Sequence, residues 1–280
     1  MEIIPKRLIV DLLSTAPKRS MPVAALIVAG ELFGISENHL RVSLARLRAV
    51  GTVETDDRGR YRLAERTASV GRQVSSWREI DQRLRAWTGN WIGVHTAGVS
   101  RSERRSHRHS DRALRFLGFE PFDAGLHLRP DNLKGGIESV RRQLHDLGLD
   151  KKAMVFVVAD LDDEAEGRAR RLWDTEDLHH AYRASRLELQ TSQQRLSRLP
   201  LPEALVESFV LGGRVLRQIV LDPLLPEPLV QAAERSALVE AMAAYDRAGR
   251  ACWASFLQQA ISNSARHRRP SVRSLRGEAA

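Results

Sequence analysis

The sequence predicts an α+β protein in three folded parts, and three observations support this class. Three short helical patterns and a strand–turn–strand pattern occupy residues 1–66. The apolar period changes at Trp87, and residues 87–160 then follow the order strand–helix–strand–strand–helix–strand. Beyond Asp160 every long segment has a helical period. We therefore expect an N-terminal domain over 1–66, a linking helix over 67–86, a central domain over 87–160 and a helical C-terminal domain over 161–263.

The N-terminal segment has the layout of a winged helix-turn-helix. A short helix is expected over Arg7–Ser14 and a second one after Pro22. The third helix is expected over Glu37–Val50, because Ser36 is a good N-cap and Gly51 suits the left-handed position that closes a helix. Two strands follow the helices, at residues 52–55 and 60–63, and a turn at residues 56–59 joins them.

The central segment predicts a ferredoxin-like split βαβ domain. Its expected strands cover 91–96, 119–122, 125–129 and 153–159, and its expected helices cover 102–117 and 137–147. The C-terminal helices are expected over 164–185, 202–220 and 229–261. The tail 264–280 places five arginines among Ser, Pro and Gly, a composition typical of disorder.

Composition excludes several classes of protein. Aromatic residues make up 5% of the chain, too few to favour a stacking surface for single-stranded nucleic acid. The single cysteine, Cys252, excludes an internal disulfide framework. The apolar runs are too short to span a bilayer and the N-terminus lacks a secretory pattern, so we expect a soluble cytoplasmic protein with no membrane partner. The net charge of +9 and the excess of Arg over Lys favour a polyanionic partner.

The third helix is the candidate reader of double-stranded DNA. Leu40, Leu44 and Leu47 recur at helical spacing and predict a buried stripe. The opposite face carries Arg and Asn, which pair with base edges, and small or branched residues that allow close approach to a groove. Arginines of the hairpin alternate with Tyr61 and Leu63, so they can reach phosphate or the minor groove. The predicted DNA-binding residues are Ser36, Asn38, His39, Arg41, Val42, Ala45, Arg46, Arg58, Arg60 and Arg62.

Several motifs together resemble the phenylacetic-acid degradation repressors of the PaaX type. They are LFGISENHLRVSLARLRAVGTVE at 32–54, WTGNW at 87–91, LGF at 117–119 with the strand ending at Pro130, Trp173…Leu178…Tyr182, and Arg217…Asp222-Pro223-Leu224-Leu225-Pro226. The resemblance covers roughly residues 5–258 and implies a homodimeric repressor that an aryl-CoA thioester releases from DNA. The chain departs from the family pattern after Pro226, where Glu227-Pro228-Leu229 replaces the usual Trp-Pro-Gly element.

The segment 101–115 is the most charged stretch before the tail. Together with the resemblance to the PaaX-type repressors, the arginines of this segment suggest a site for the diphosphate of a CoA thioester. We expect this thioester as the effector and expect no cofactor. A second phosphate-contacting surface and a merely solvated helix face are the other interpretations. The predicted effector-binding residues are Arg101, Arg104, Arg105, Arg108, Arg112 and Arg115.

The alternative from another class is a nuclease, because the expected central domain resembles that of the small CRISPR-associated nucleases. Such enzymes end their first strand with an aspartate that holds a divalent ion, whereas residues 97–100 here contain no acid. Glycine-rich phosphate loops, GxSxG and HExxH are also missing from the sequence, so we do not expect an enzyme or a metal site. A DNA-binding regulator without an effector is the third interpretation.

Overall fold

The computed structural model describes residues 4–15, 20–56, 59–65, 76–96 and 104–267, without the side chains of 15, 76, 104–106 and 259–267. Helices and two small antiparallel sheets make up these ranges, which confirms the predicted α+β class. The chain divides into two compact units. The first comprises Met1–Val74, Arg195–Val210 and Asp246–Ala280, and the second comprises Ser75–Gln194 and Leu211–Tyr245.

The N-terminal part of the first unit contains three short helices and one three-stranded sheet. Its elements in chain order are α1 (Pro5–Thr15), β1 (Ser20–Pro22), α2 (Val23–Glu31), α3 (Glu37–Ala49), β2 (Val53–Thr55) and β3 (Arg60–Leu63). The sheet order is β1-β3-β2, with both pairings antiparallel. The sequence did not predict β1, because three residues that end in a proline carry too little strand pattern.

Each helix of this unit buries an apolar stripe in a common core. In α1 the stripe includes Leu8 and Leu12, and α2 contributes Leu26, while the buried leucines of α3 complete the cluster. Residues near the C-terminal end also belong to this unit. Phe209 packs against Phe33 with ring centroids 5.1 Å apart, and Leu257 is buried in the same cluster.

The second unit contains a four-stranded sheet with two helices inserted between its strands. Its elements are a 3₁₀ helix (Ser76–Arg83), β4 (Trp91–His95), α4 (Arg104–Phe116), β5 (Glu120–Asp123), β6 (Leu126–Pro130), α5 (Gly136–Asp146) and β7 (Met154–Val158). The sheet order is β5-β6-β4-β7, and every neighbouring pair is antiparallel. The expected strands and helices of the central segment are therefore present within a few residues of their predicted ends.

The chain ends in α6 (Asp163–Arg170), α7 (Thr175–Leu196), α8 (Leu201–Val220) and α9 (Ala232–His267). The prediction of one helix over 164–185 was wrong. The chain breaks after Arg170, and the carboxylate of Asp174 accepts from the backbone N–H of Asp177 at 2.9 Å, which starts a new helix. Helix α9 extends four residues into the segment expected to be a disordered tail, and residues 268–280 lie outside the described residues, as do residues 67–75 of the expected linking helix.

Among the described residues, no helix is both long enough and apolar enough to cross a membrane.

Candidate nucleic-acid interface

Helix α3 is held in place by its cap and by its buried leucines. Ser36 is the N-cap, and its Oγ accepts a hydrogen bond from the backbone N–H of His39 at 3.4 Å. Leu40, Leu44 and Leu47 are almost completely buried and pack with α1 and α2. The leucine stripe fixes the rotation of α3 about its axis, so the remaining side chains face away from the core.

The outward face of α3 carries the side chains that were predicted from the sequence to bind DNA. All six predicted helix residues are exposed, namely Asn38, His39, Arg41, Val42, Ala45 and Arg46. At 100° per residue, Asn38, Val42 and Ala45 form the centre of this face, and the two arginines flank it on opposite sides. Val42 is 41% exposed although it is apolar, so none of the described residues covers the middle of the face.

The two flanking arginines differ in their partners. The Arg41 guanidinium pairs with Glu37 one turn earlier at 2.6 Å, and both side chains are more than half exposed. Such an exposed pair contributes only about 0.3–0.5 kcal/mol, so a phosphate or a base can replace it. Arg46 has no ion-pair partner among the described residues. Arg48 is exposed seven residues beyond Arg41 and therefore on the same flank, a position that the sequence analysis missed although the spacing identifies it.

The hairpin arginines differ in their exposure and in their partners. Arg60 is half-buried and donates through Nε to the Ser20 hydroxyl at 3.0 Å and through Nη2 to the Ser20 carbonyl at 2.9 Å, so it fastens β1 to β3. Arg62 is 60% exposed and pairs with Glu54 across the hairpin at 3.0 Å. Arg58 lies outside the described residues. Of the two described hairpin arginines, Arg62 is the one that is exposed at the surface.

The second predicted site lies on α4. Arg108, Arg112 and Arg115 are exposed and recur at helical spacing, so they share one face of the helix. The backbones of Arg104 and Arg105 belong to the same helix, whereas Arg101 lies outside the described residues. The structure therefore brings three of the six predicted arginines together on a solvated helix face.

No group of three or more His, Cys, Asp and Glu side chains in the described ranges is arranged to hold a metal ion. Strand β4, the first of its sheet, ends at His95 and is followed by Thr96. Cys252 is a free thiol of intermediate exposure on α9.

A buried polar network in the second unit was not predicted from the sequence. The Tyr182 hydroxyl donates to the Asp222 carboxylate at 2.5 Å. Burial raises the pKa of Asp222, while the hydrogen bond from Tyr182 and the charge of Arg235 lower it. The Arg235 guanidinium donates to the Leu225 carbonyl at 3.0 Å and lies 3.5 Å from the Asp81 carboxylate. The network therefore fastens the segment that begins at Asp222 to α7 and α9.

A second buried arginine fastens the same segment to the sheet. Arg129, at 1% exposure, donates from Nη1 to the Leu117 carbonyl and from Nη2 to Asn132 Oδ1 at 3.0 Å. Burial, together with nearby Arg83, lowers the pKa of Arg129 to about 9, which leaves it protonated at neutral pH. Asn132 in turn donates to the Leu224 carbonyl at 2.7 Å. These contacts give the residues a structural role, because their polar atoms are buried within the fold.

Comparisons with known proteins identify a fold and no function. No family model matches the chain, and no curated protein matches it. Among solved structures, the chain is similar to the uncharacterized protein Rv0674 from Mycobacterium tuberculosis, with a TM-score of 0.57 and 23% sequence identity. The match covers 89% of this chain and 98% of that chain. The likeness therefore extends over nearly the whole fold.

Proposed function

We propose that this chain is a transcriptional regulator, a repressor, that binds double-stranded DNA through α3. The observation that carries the proposal is the exposed face of α3, on which Asn, Arg and small apolar side chains stand opposite a fully buried leucine stripe. A helix that enters the major groove can place the exposed valine at the centre of this face against a thymine methyl group.

The arrangement around α3 supports a winged helix-turn-helix as the finer description of the first unit. Helices α2 and α3 are separated by five residues, and the β2–β3 hairpin follows α3 directly. In this class of domain the N-terminal part of the second helix contacts base edges and the flanking elements contact the backbone. The strand order β5-β6-β4-β7 with its two inserted helices likewise supports a ferredoxin-like domain in the second unit.

Each side chain of the face has a role that follows from its chemistry. Arg41 and Arg46 can each form two parallel hydrogen bonds with guanine, and Asn38 can do the same with adenine. Val42 and Ala45 permit close approach and contact a methyl group. Arg62 in the wing and Arg48 at the end of α3 are assigned to phosphates, where a charge fixes orientation without reading sequence. Arg60 is assigned to holding β1, since its guanidinium is occupied by Ser20.

The experiment is a selection from random duplexes, followed by gel-shift titrations of wild type and single alanine variants. Arg46→Ala should weaken binding to the selected site by about 1–3 kcal/mol and relax sequence preference at one position. Arg48→Ala should weaken binding to all sequences alike and reduce the salt slope by about 0.9. Arg142→Ala removes one exposed arginine from α5 and is the matched control, which should bind as wild type does.

We further propose a homodimer on an operator with two-fold symmetry. A single unit of this size contacts too few base pairs to find one site in a genome, and paired half-sites one helical turn apart, or multiples of a turn, double the contact. Light scattering of the full chain with and without DNA measures the mass directly. The mass of one chain under both conditions would eliminate the dimer.

The proposed effector is an anionic CoA thioester of an aromatic or related organic acid. Arg108, Arg112 and Arg115 share an exposed face of α4, where guanidinium groups can bind a diphosphate bidentately. A coupling of about 1–3 kcal/mol would change DNA occupancy by roughly 5–150-fold, and DNA must weaken effector binding by the same factor. The test titrates acyl-CoA esters, free CoA and free acids into a protein–DNA complex. If no thioester releases DNA, the regulator acts without this effector and the arginines are solvated or contact phosphate.

A further inference from the structure

Strand β7 is the edge strand of the sheet in the second unit and presents an apolar surface. Its sequence is MVFVV, and it pairs with β4 on one side while no described strand pairs with it on the other. Met154 is 59% exposed, Phe156 37% and Val157 44%. A long apolar edge strand offers unpaired backbone groups to another chain, and monomeric proteins usually cover or charge such an edge.

The grouping of exposed apolar residues singles out this strand. Of the other large exposed apolar side chains of the described residues, Val42 and Val50 lie on α3 or at its end, Leu187 and Leu201 lie on the C-terminal helices, and Ile4 and Leu221 lie outside helices. Many large apolar side chains of these helices are buried, including Leu205, Val215 and Met242. Among the described side chains, the helices after Glu164 therefore present no group of neighbouring large exposed apolar residues.

The sequence of β7 is complementary to itself in one antiparallel register. When Phe156 of one copy faces Phe156 of a second copy, Met154 faces Val158 and the five residues of both strands overlap completely. The same register places Lys152 of each copy beside Asp160 of the other, and both residues are exposed. A register shifted back by one residue would instead oppose Asp150 to Asp160. Charge and apolar overlap thus favour the register centred on Phe156.

The neighbourhood of the strand accommodates this pairing. Phe156 lies over Gly93 of β4, where an added Cβ would stand 2.9 Å from its ring, so the ring is held close to the sheet. Arg141 donates to the Val155 carbonyl at 2.9 Å, and its side chain is 38% exposed. A backbone N–H of a second copy can replace this partly exposed donor, because the guanidinium can then turn to water.

We infer that two copies of this chain associate through β7, joining their four-stranded sheets into one continuous eight-stranded antiparallel sheet. The inference depends on the proposed function only for the premise that the protein is a homodimer. The unpaired edge, its exposed side chains and its self-complementary register are properties of β7 itself. The dimer interface (the seam) is thereby assigned to β7, with Phe156 facing Phe156 and Met154 facing Val158 across the two-fold axis.

The test is disulfide cross-linking of full-length chains in which Cys252 is replaced by serine. Two Phe156→Cys chains would place their Cα atoms about 4.5–5.5 Å apart, within the range of a disulfide. Met154→Cys is the matched control on the same strand, because its Cα atoms would be four residues apart, about 14 Å, and beyond reach. With diamide as oxidant, we expect rapid cross-linking at 156 and none at 154.

Lys152→Glu supplies a second measurement that leaves the apolar residues intact. It places two like-charged pairs across the seam, so the dimer dissociation constant measured by sedimentation without DNA should rise at least about tenfold. Leu187→Glu, an exposed apolar position on α7, should leave the constant unchanged. Equal cross-linking at 154 and 156, a monomeric wild type, or an unchanged constant for Lys152→Glu would overturn the inference. Cross-linking at 156 in a protein that binds no duplex would overturn the proposed function and uphold the seam.

Discussion

Gly30 lies near the end of α2, where it contacts Leu40 of α3, and replacing it by alanine tests how α3 is positioned. A Cβ at this position would stand 2.6 Å from Leu40 Cδ1 and 3.7 Å from the Ile35 carbonyl oxygen. Carbon atoms in contact prefer about 3.5–4.0 Å, so Leu40 must retreat by about 1 Å or α3 must move. Leu40 is completely buried, which leaves it no solvent-facing rotamer.

Two opposing terms set the expected stability of Gly30→Ala. Alanine gains up to about 1 kcal/mol over glycine in a helix, while overpacking a filled core costs about 1–3 kcal/mol. The net loss should therefore be about 1 kcal/mol, with α3 displaced. DNA affinity should fall by a further factor of roughly 5–150, because base contacts worth about 1–3 kcal/mol depend on the placement of α3.

Thermal unfolding and gel-shift titration of Gly30→Ala, each beside Gly51→Ala, separate the two effects. Gly51 follows α3 with φ of 69°, and an added Cβ would meet nothing within 4 Å, so alanine there costs backbone strain of about 1–2 kcal/mol without pushing on α3. We expect both variants to lose stability. After correction for the fraction of folded protein, only Gly30→Ala should show weaker DNA binding. Equal DNA affinity of the two variants would show that the contact with Leu40 does not position the reader.

Three further predictions concern single side chains. Ser36→Ala removes the cap of α3 and should cost about 0.5–1 kcal/mol, seen as a lower thermal midpoint, and an unchanged midpoint would contradict a capping role. Tyr182→Phe removes the hydroxyl that donates to buried Asp222 and should cost about 1–3 kcal/mol in urea unfolding, whereas a loss below about 0.5 kcal/mol would show that the hydrogen bond is dispensable. Burial lowers the pKa of His127 below the ordinary histidine value of about 6.5, against the opposing charge of Asp111. The unfolded chain therefore binds the proton first as the pH falls, and stability that is present above pH 6.5 is lost. His127→Gln should flatten the free energy of unfolding between about pH 7 and 5, and parallel curves for variant and wild type would refute the assignment.

Local patterns predicted the parts of the fold that depend on neighbouring residues. The spacing of Leu40, Leu44 and Leu47 is a property of one helix, so both the buried stripe and the exposed face opposite it follow from the sequence. The same reasoning holds for residues 87–160, because apolar residues recur at a different period in strands than in helices. The break between α6 and α7 was also readable, since Asp174 stands three residues before another acid in a helix-start pattern, but the apolar period continues across it.

Contacts between distant residues were not predictable from one sequence. Arg60 and Ser20 are forty positions apart, and nothing local to the hairpin distinguishes Arg60 from Arg62, yet one fastens the sheet and the other reaches the surface. The same limit applies to the hydrogen bond between Tyr182 of α7 and Asp222, which lies forty residues later in the segment after α8. The roles of the predicted DNA-binding and effector-binding residues stay predictions, because exposure places a side chain at the surface without naming its partner.

The measurement that tests the central proposal most directly is the affinity of wild type and Arg46→Ala for a duplex selected from a random pool, over a series of salt concentrations. We predict one enriched sequence, a logarithmic salt slope of about −0.9 per phosphate contacted, and a loss of about 1–3 kcal/mol for Arg46→Ala that is confined to that sequence. Failure to enrich any duplex, or identical affinity of Arg46→Ala and wild type for the enriched one, would contradict a regulator that reads DNA with α3.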